Sequence, residues 1–489
     1  MKSGTKSSMK SLARVAIAGI ATVAVLFVVF LLLQRPPGGT LSTGIVFASG
    51  EATDVEAVLV SNRYGSYSFY FDHSEQGYVI DDIPAYIADL DAFVDFLDNC
   101  ASLSAIRHIP LGDAVAQDWG LDRPSAEVEI ILFSGERFNL LIGDIERISG
   151  NYYASVDGFA GIYILPKATG EQFLRPKTHM ISRLVTPPLA VSSPLSAILD
   201  VVFTGGGLEY PVAIHAAGST AENTLDALSF GGATHIVRGA AIYQLDQTYG
   251  VGILGSLFGL TALDIAGYNL TSAEIAAYGF DRPYMTVDYL MQNGVNAEVR
   301  RMRLHIAQTV AQSGDGSFYA MLEGIDAVYI IGREAFIDIQ YDKLLLRWFL
   351  TPFIMDLSSV TITAQETSYR FELDNADPRN PVITYSGQVL DTELFRSFFR
   401  LITSAAHDGD YLGPHAPPLP GQDVELTITY EYRNTEKGPD SLALYPGGVR
   451  RHNVYVNGAG EFAIKDLFAQ RVLEGCANLI AGRVIEEEW

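Results

Sequence analysis

Four tyrosines are the residues whose type and repetition carry the plainest chemical implication. Tyr153 and Tyr163 lie in NYYASVDGFAGIYILP, and Tyr319 and Tyr329 hold the corresponding places in GSFYAMLEGIDAVYIIG. Side chains alternate faces along a strand, so Tyr153 and Tyr319 are expected to point the same way in their two settings. A repeated tyrosine face is suited to stacking on sugars or seating a partner peptide, which makes all four candidate partner-binding residues. The plainer reading is that Tyr and Phe suit strands and pack beneath a helix.

Other constellations carry less. Gly250-Val251-Gly252-Ile253-Leu254-Gly255 has the spacing of a dinucleotide fingerprint, which requires a strand, a tight glycine turn and a helix N-terminus in succession. No strand–helix–strand alternation surrounds it, and nucleotide binding is not expected. Asp408-Gly409-Asp410, flanked by His407 and His415, resembles a metal loop, but position twelve is Leu419 where a calcium loop closes with Glu. The nine histidines show no zinc spacing. Asp81-Asp82 and Glu486-Glu487-Glu488 supply neighbouring carboxylates, yet nothing local sets the separation that glycoside cleavage needs. No G-x-S-x-G elbow is present. The expectation is a chain without catalytic, cofactor-binding or metal-ligating residues.

These residues sit in elements that recur. Gly120-Leu121-Asp122-Arg123-Pro124 opens one stretch, and Gly279-Phe280-Asp281-Arg282-Pro283 opens another 159 positions later. In the first copy, 55–60 and 66–71 read as a hairpin, 83–103 as an amphipathic helix, and 126–133, 138–142, 152–156 and 162–165 as a meander. The second copy repeats that order, with helices expected over 251–266 and 333–349. A third, diverged copy has a helix over 392–404 and strand-like 423–432 and 453–465, with Leu419-Pro420-Gly421 where the Asp-Arg-Pro turn would stand. Strands with a helix inserted midway predict an α+β fold of antiparallel meander plus helix.

The run from Val15 to Leu33 holds 19 residues without a charge, preceded by Lys2, Lys6, Lys10 and Arg14. That length and charge asymmetry predict a single transmembrane helix with a cytoplasmic N-terminus and an extracytoplasmic body. Beyond residue 35 the chain carries 28 basic against 57 acidic side chains. Such acidity argues against nucleic acid as a partner and suits solubility. Cys100 and Cys476 are too few for a disulfide framework and fall in apolar helical stretches, so both are expected as buried thiols.

The Asp-Arg-Pro turn, its following hairpin and the YYASVDG…GIYIL meander resemble the domain of unknown function 4340 family. That resemblance covers most of 50–350 and implies an anchored protein of tandem units, accessory to ABC-type transport systems at the cell envelope. It carries over no catalytic residue. The resulting expectation divides the chain into a tail (1–14), a membrane helix (15–33), a linker (34–50) and units at 51–190, 195–355 and 356–489. Its function is expected to be non-enzymatic binding or scaffolding in the bacterial envelope. A solute- or glycan-binding module and an extracytoplasmic hydrolase of glycan or peptide are the alternatives.

Overall fold

The computed structural model describes residues 44–110, 116–309, 316–377, 381–407, 411–413 and 423–489. The chain divides into two compact units, Met1–Arg183 with Gly267–Asn269, and Leu184–Ala266 with Leu270–Trp489.

The first unit holds an eight-stranded antiparallel sheet. Its strands are β1 (Val55–Asn62), β2 (Gly65–Asp72), β3 (Gly77–Ile80), β4 (Arg107–Ile109), β5 (Ala126–Leu132), β6 (Arg137–Ile145), β7 (Tyr152–Val156) and β8 (Phe159–Leu165). They lie in the order β3-β2-β1-β5-β6-β7-β8-β4. Along β5 every second side chain is buried, as one covered and one open face require. The cover is helix α1 (Leu90–Ala101), started by the Asp89 carboxylate accepting from the Ala92 amide at 3.0 Å. Phe93 and Phe96 of α1 pack on Phe69 of β2, with ring centroids 5.5 and 4.8 Å apart. Each buried ring contributes about 1.5–3 kcal/mol. A small fourth sheet pairs Ile45–Val46 with Ser104–Ala105.

The second unit holds two large sheets. One comprises β9 (Ile198–Gly205), β10 (Val212–Ala216), β11 (His235–Arg238), β12 (Ile242–Gln244), β13 (Asp264–Tyr268), β14 (Met285–Met291), β15 (Arg300–Gln308), β16 (Phe318–Leu322) and β17 (Ala327–Ile331). The other comprises β18 (Leu357–Ala364), β19 (Thr367–Asp374), β20 (Val382–Tyr385), β21 (Gln388–Val389), β22 (Leu426–Tyr432), β23 (Asp440–Pro446), β24 (Arg451–Val456) and β25 (Ala459–Lys465). Their orders are β12-β11-β10-β9-β14-β15-β16-β17-β13 and β21-β20-β19-β18-β22-β23-β24-β25. All three large sheets follow one scheme. The chain lays its first strand mid-sheet, runs to one edge, returns beside the first strand, and meanders to the other edge. In the last sheet a single Tyr411–Phe462 bridge stands where β4 and β13 close the others.

The longer helices of this unit are α2 (Gln247–Gly255), α3 (Thr392–Thr403) and α4 (Leu467–Ile480), besides shorter helical segments such as Ala221–Ala227. Helix α3 buries Phe395, Phe398, Leu401 and Ile402 over the third sheet, where Phe398 meets Phe371 at 5.4 Å. Helix α4 comes close beside it because Gly475 lacks a side chain: a Cβ there would stand 3.0 Å from the Phe398 ring.

The expected α+β fold is corrected. The structure is mostly β, with four antiparallel sheets, 39% strand and 24% helix. Three expected helices shrink for local reasons. The one at 83–103 begins only at Leu90, since Pro84 to Ala88 form turns and a bridge. The one at 251–266 ends at Gly255, and beyond Gly259 at φ +64° the chain becomes edge strand β13. The one at 333–349 is broken into Ala335–Asp338 and Tyr341–Leu344, with Leu345 bridged to Leu245. The membrane placement is corrected as well. No helix among the described residues is long and apolar enough to cross a membrane, so a single-pass anchor with an extracytoplasmic body is not supported. The run Val15–Leu33 lies outside the described residues.

Candidate functional site

The Asp-Arg-Pro turn delivers an aromatic side chain to the sheet it precedes. Gly120 and Gly279 adopt left-handed φ of +71° and +92°, which a residue without Cβ adopts freely. Gly120 follows Trp119, the last residue of the short helical stretch Ala116–Trp119, whereas Gly279 follows Tyr278 inside the stretch Ala276–Phe280, whose helical course it interrupts. Trp119 then meets Tyr153 edge-on at 4.7 Å, and Tyr278 meets Tyr319 edge-on at 5.0 Å. Tyr278 also donates its hydroxyl to the Ala266 carbonyl at 3.0 Å.

The four sequence-derived tyrosines therefore divide into two kinds. Tyr153 and Tyr319 are half-buried and packed beside these turn aromatics. Tyr163 and Tyr329 point into the core, 5% and 4% exposed. Tyr163 is ringed by Phe47 at 4.8 Å and His108 at 5.0 Å. Trp119 and Tyr278 escaped the reading of the sequence, although each immediately precedes the first glycine of its turn and they share the repeat's spacing of 159.

A concavity of about 530 Å³ lies on the open face of the first sheet. Leu59, Ser61, Ser68, Asp81, Glu127, Glu129 and Leu141 are among the residues that line it. Leu59 is 43% exposed there. Ser66 donates to Ser61 across β1 and β2 at 3.0 Å, and Arg137 pairs with Glu129 at 2.9 Å. The second sheet carries the same diagonal pair at Arg301 and Asp288, 2.6 Å apart, with Arg303 also at 2.6 Å. Hydrogen bonds from Arg301 lead the causes that hold the Asp288 carboxyl down at about 2.

The remaining candidates find ordinary roles. Gly250 to Gly255 lie within helix α2, not in a turn before it, and a Cβ at Gly250 would stand 2.9 Å from Leu245. Asp82 pairs with Lys177 at 2.6 Å, and Glu487 with Arg400 at 2.6 Å. His407 stacks on Phe462 at 4.4 Å, while Asp408, Asp410 and His415 lie outside the described residues. His452 contacts Glu425 at 2.7 Å, and burial pushes His235 below its ordinary value. No group of three or more His, Cys, Asp or Glu among the described residues is arranged to hold a metal. Cys100 and Cys476 are free and buried, their thiols pushed up by burial.

Compared with known proteins, the chain matches no protein-family model and no curated protein.

Proposed function

We propose that the protein is a non-enzymatic binding or scaffold protein, and that the open face of its first sheet seats an extended partner segment bearing apolar and basic side chains. The observation that carries this reading is the concavity over β1, β2, β5 and β6. Apolar Leu59 and Leu141 alternate there with hydroxyls and with the carboxylates of Glu127, Glu129 and Asp81. An extended segment offers side chains on alternate positions, so one face of it pairs leucine-like groups with Leu59 and Leu141 and cations with the carboxylates. The resemblance noted in the sequence adds a partner class, a subunit of an ABC-type transport system.

The test is a panel of synthetic peptides alternating Leu with Lys, Glu or Ser, titrated onto the full-length protein by fluorescence anisotropy. Preference for the Leu–Lys series, weakened about tenfold by Leu59→Arg with Glu127→Lys, supports the proposal. Equal binding of the acidic series, or an unaffected variant, sinks it.

A further inference from the structure

Strand register aligns one position across the three large sheets. Tyr163 pairs with Ala154, Tyr329 with Ala320, and Phe462 with Val454. The residue just before each of these aromatics is Ile162, Val328 and Glu461. Ile162 is 4% exposed, and Val328 and Glu461 are wholly buried. Two sheets thus place an aliphatic side chain at this site, and the third places a carboxylate.

The groups facing Glu461 come mainly from the preceding sheet and its connections. Tyr210, in the loop between β9 and β10, donates its hydroxyl to Oε1. Tyr341, after β17, donates to Oε2 at 2.9 Å. The two rings meet edge-on at 5.6 Å. Tyr411 has one hydroxyl hydrogen to share between the Tyr210 hydroxyl at 3.3 Å and exposed Glu209 at 3.4 Å. Tyr243 of β12 packs on Phe462 at 5.9 Å. Burial leads the causes that raise all four phenols, so they remain protonated donors at neutral pH. Gly239 makes room for this arrangement, because a Cβ there would fall 2.2 Å from the Tyr341 hydroxyl.

We infer that Glu461, Tyr210 and Tyr341 form a polar latch that fixes the third sheet against the second and rejects other dockings. One chain with three sheets of like topology and apolar faces is exposed to misassembly. Apolar contacts alone discriminate poorly among such faces. A buried carboxylate discriminates strongly, because any docking that fails to bring both hydroxyls strands a desolvated charge. Around the latch the seam is closed by backbone hydrogen bonds from Phe349 to Ala405 at 3.0 Å and from His407 to Arg347 at 2.9 Å, while Leu412, on the edge of the third sheet, donates to the Glu461 carbonyl at 2.9 Å.

The test uses full-length protein, with hydrogen exchange at the Phe349, His407 and Leu412 amides and the yield of native protein after dilution from urea. Tyr341→Phe is expected to speed exchange at these amides about tenfold while leaving β1 and β5 of the first sheet unchanged. Glu461→Val, the residue of the second sheet, combined with Tyr210→Phe and Tyr341→Phe, is expected to restore protection yet lower the refolding yield. Exchange that rises equally in the first sheet and at the seam overturns the latch. So does a triple variant that refolds as well as the parent.

Discussion

Trp119 meets Tyr153 edge-on, with ring centroids 4.7 Å apart and planes inclined by 67°. Tyr278 and Tyr319 repeat the contact in the second sheet at 5.0 Å and 78°. The same turn therefore does the same mechanical task twice: it pins the connection arriving from the first half of a sheet onto the meander that follows. Truncating Trp119 to Ala is expected to destabilise the first unit by about 2 kcal/mol, since the ring is only half-buried. A double-mutant cycle with Tyr153→Ala should return a coupling of about 1 kcal/mol in urea unfolding. Additive single effects would mean that the rings are neighbours without being partners.

The two turn glycines should differ in their tolerance of a methyl group. At Gly279 a Cβ meets only the Ala307 Cβ at 3.6 Å, so Gly279→Ala carries just the left-handed backbone penalty, about 1 kcal/mol. At Gly120 the added atom lands 2.6 Å from the Asp144 side chain and 2.9 Å from its backbone nitrogen. Gly120→Ala should therefore lower the melting temperature more than Gly279→Ala does, and the reverse order would refute this account.

The strands were legible because half-buried strands alternate. The expected strand 126–133 differs by one residue from Ala126–Leu132, and the expected helix 392–404, whose apolar residues recur at helical spacing, differs by one residue from Thr392–Thr403. The helices over 251–266 and 333–349 were misread because an apolar run bends equally well through buried turns. Phe336, Ile337 and Leu344 are wholly buried without forming one helix. Alternation placed Tyr153 and Tyr319 on one face but could not say which neighbouring face is covered. Glu461 left no local trace at all. Its hydrogen-bond partners Tyr341 and Tyr210 lie 120 and 251 positions away, and no spacing within GEFAIK encodes them.

Alkaline pH should weaken the first unit through Tyr67. Burial pushes its phenol up to about 12, against an ordinary 10; the ring is 7% exposed, and its hydroxyl donates to the Arg175 carbonyl at 3.1 Å. A folded value above the unfolded one means that the contribution is complete below pH 10 and lost as pH rises through 12. A two-unit shift corresponds to about 2–3 kcal/mol. The urea midpoint should fall between pH 9 and pH 12, and fall less in Tyr67→Phe. An identical fall in both would assign the loss to other groups.

Acid should act through Asp288 in the second unit, with the opposite sign. Arg301 and Arg303 hold its carboxyl at about 2, below the ordinary 3.8. A depressed folded value contributes stability above pH 3.8 that disappears as pH falls toward 2. The arginines are solvent-screened, which limits the effect to about 1 kcal/mol. Asp288→Asn should remove that portion of the acid dependence while changing stability at pH 7 by a similar amount. Acid unfolding curves that superpose for parent and variant would show that the pair is inert.

The largest single-residue effect in the second unit is expected at Asp440, which is 1% exposed in the hairpin between β22 and β23. Tyr432 donates to Oδ2 at 2.5 Å, while Lys437 and Asn457 donate to Oδ1 at 3.0 and 2.9 Å. The Lys437 side chain is itself only 9% exposed and lies 5.1 Å from the centre of the Tyr432 ring. Removing the carboxylate leaves a desolvated ammonium and a phenol without an acceptor, so Asp440→Ala should destabilise by about 3–5 kcal/mol. Asp440→Asn keeps the shape but not the charge and should be nearly as damaging. Replacing both charges at once, Lys437→Met with Asp440→Leu, should recover most of the loss, because a well-packed apolar pair avoids desolvation altogether. If the double variant is as unstable as Asp440→Ala in urea unfolding, the hydrogen bonds to Tyr432 and Asn457 hold this hairpin and the ion pair does not.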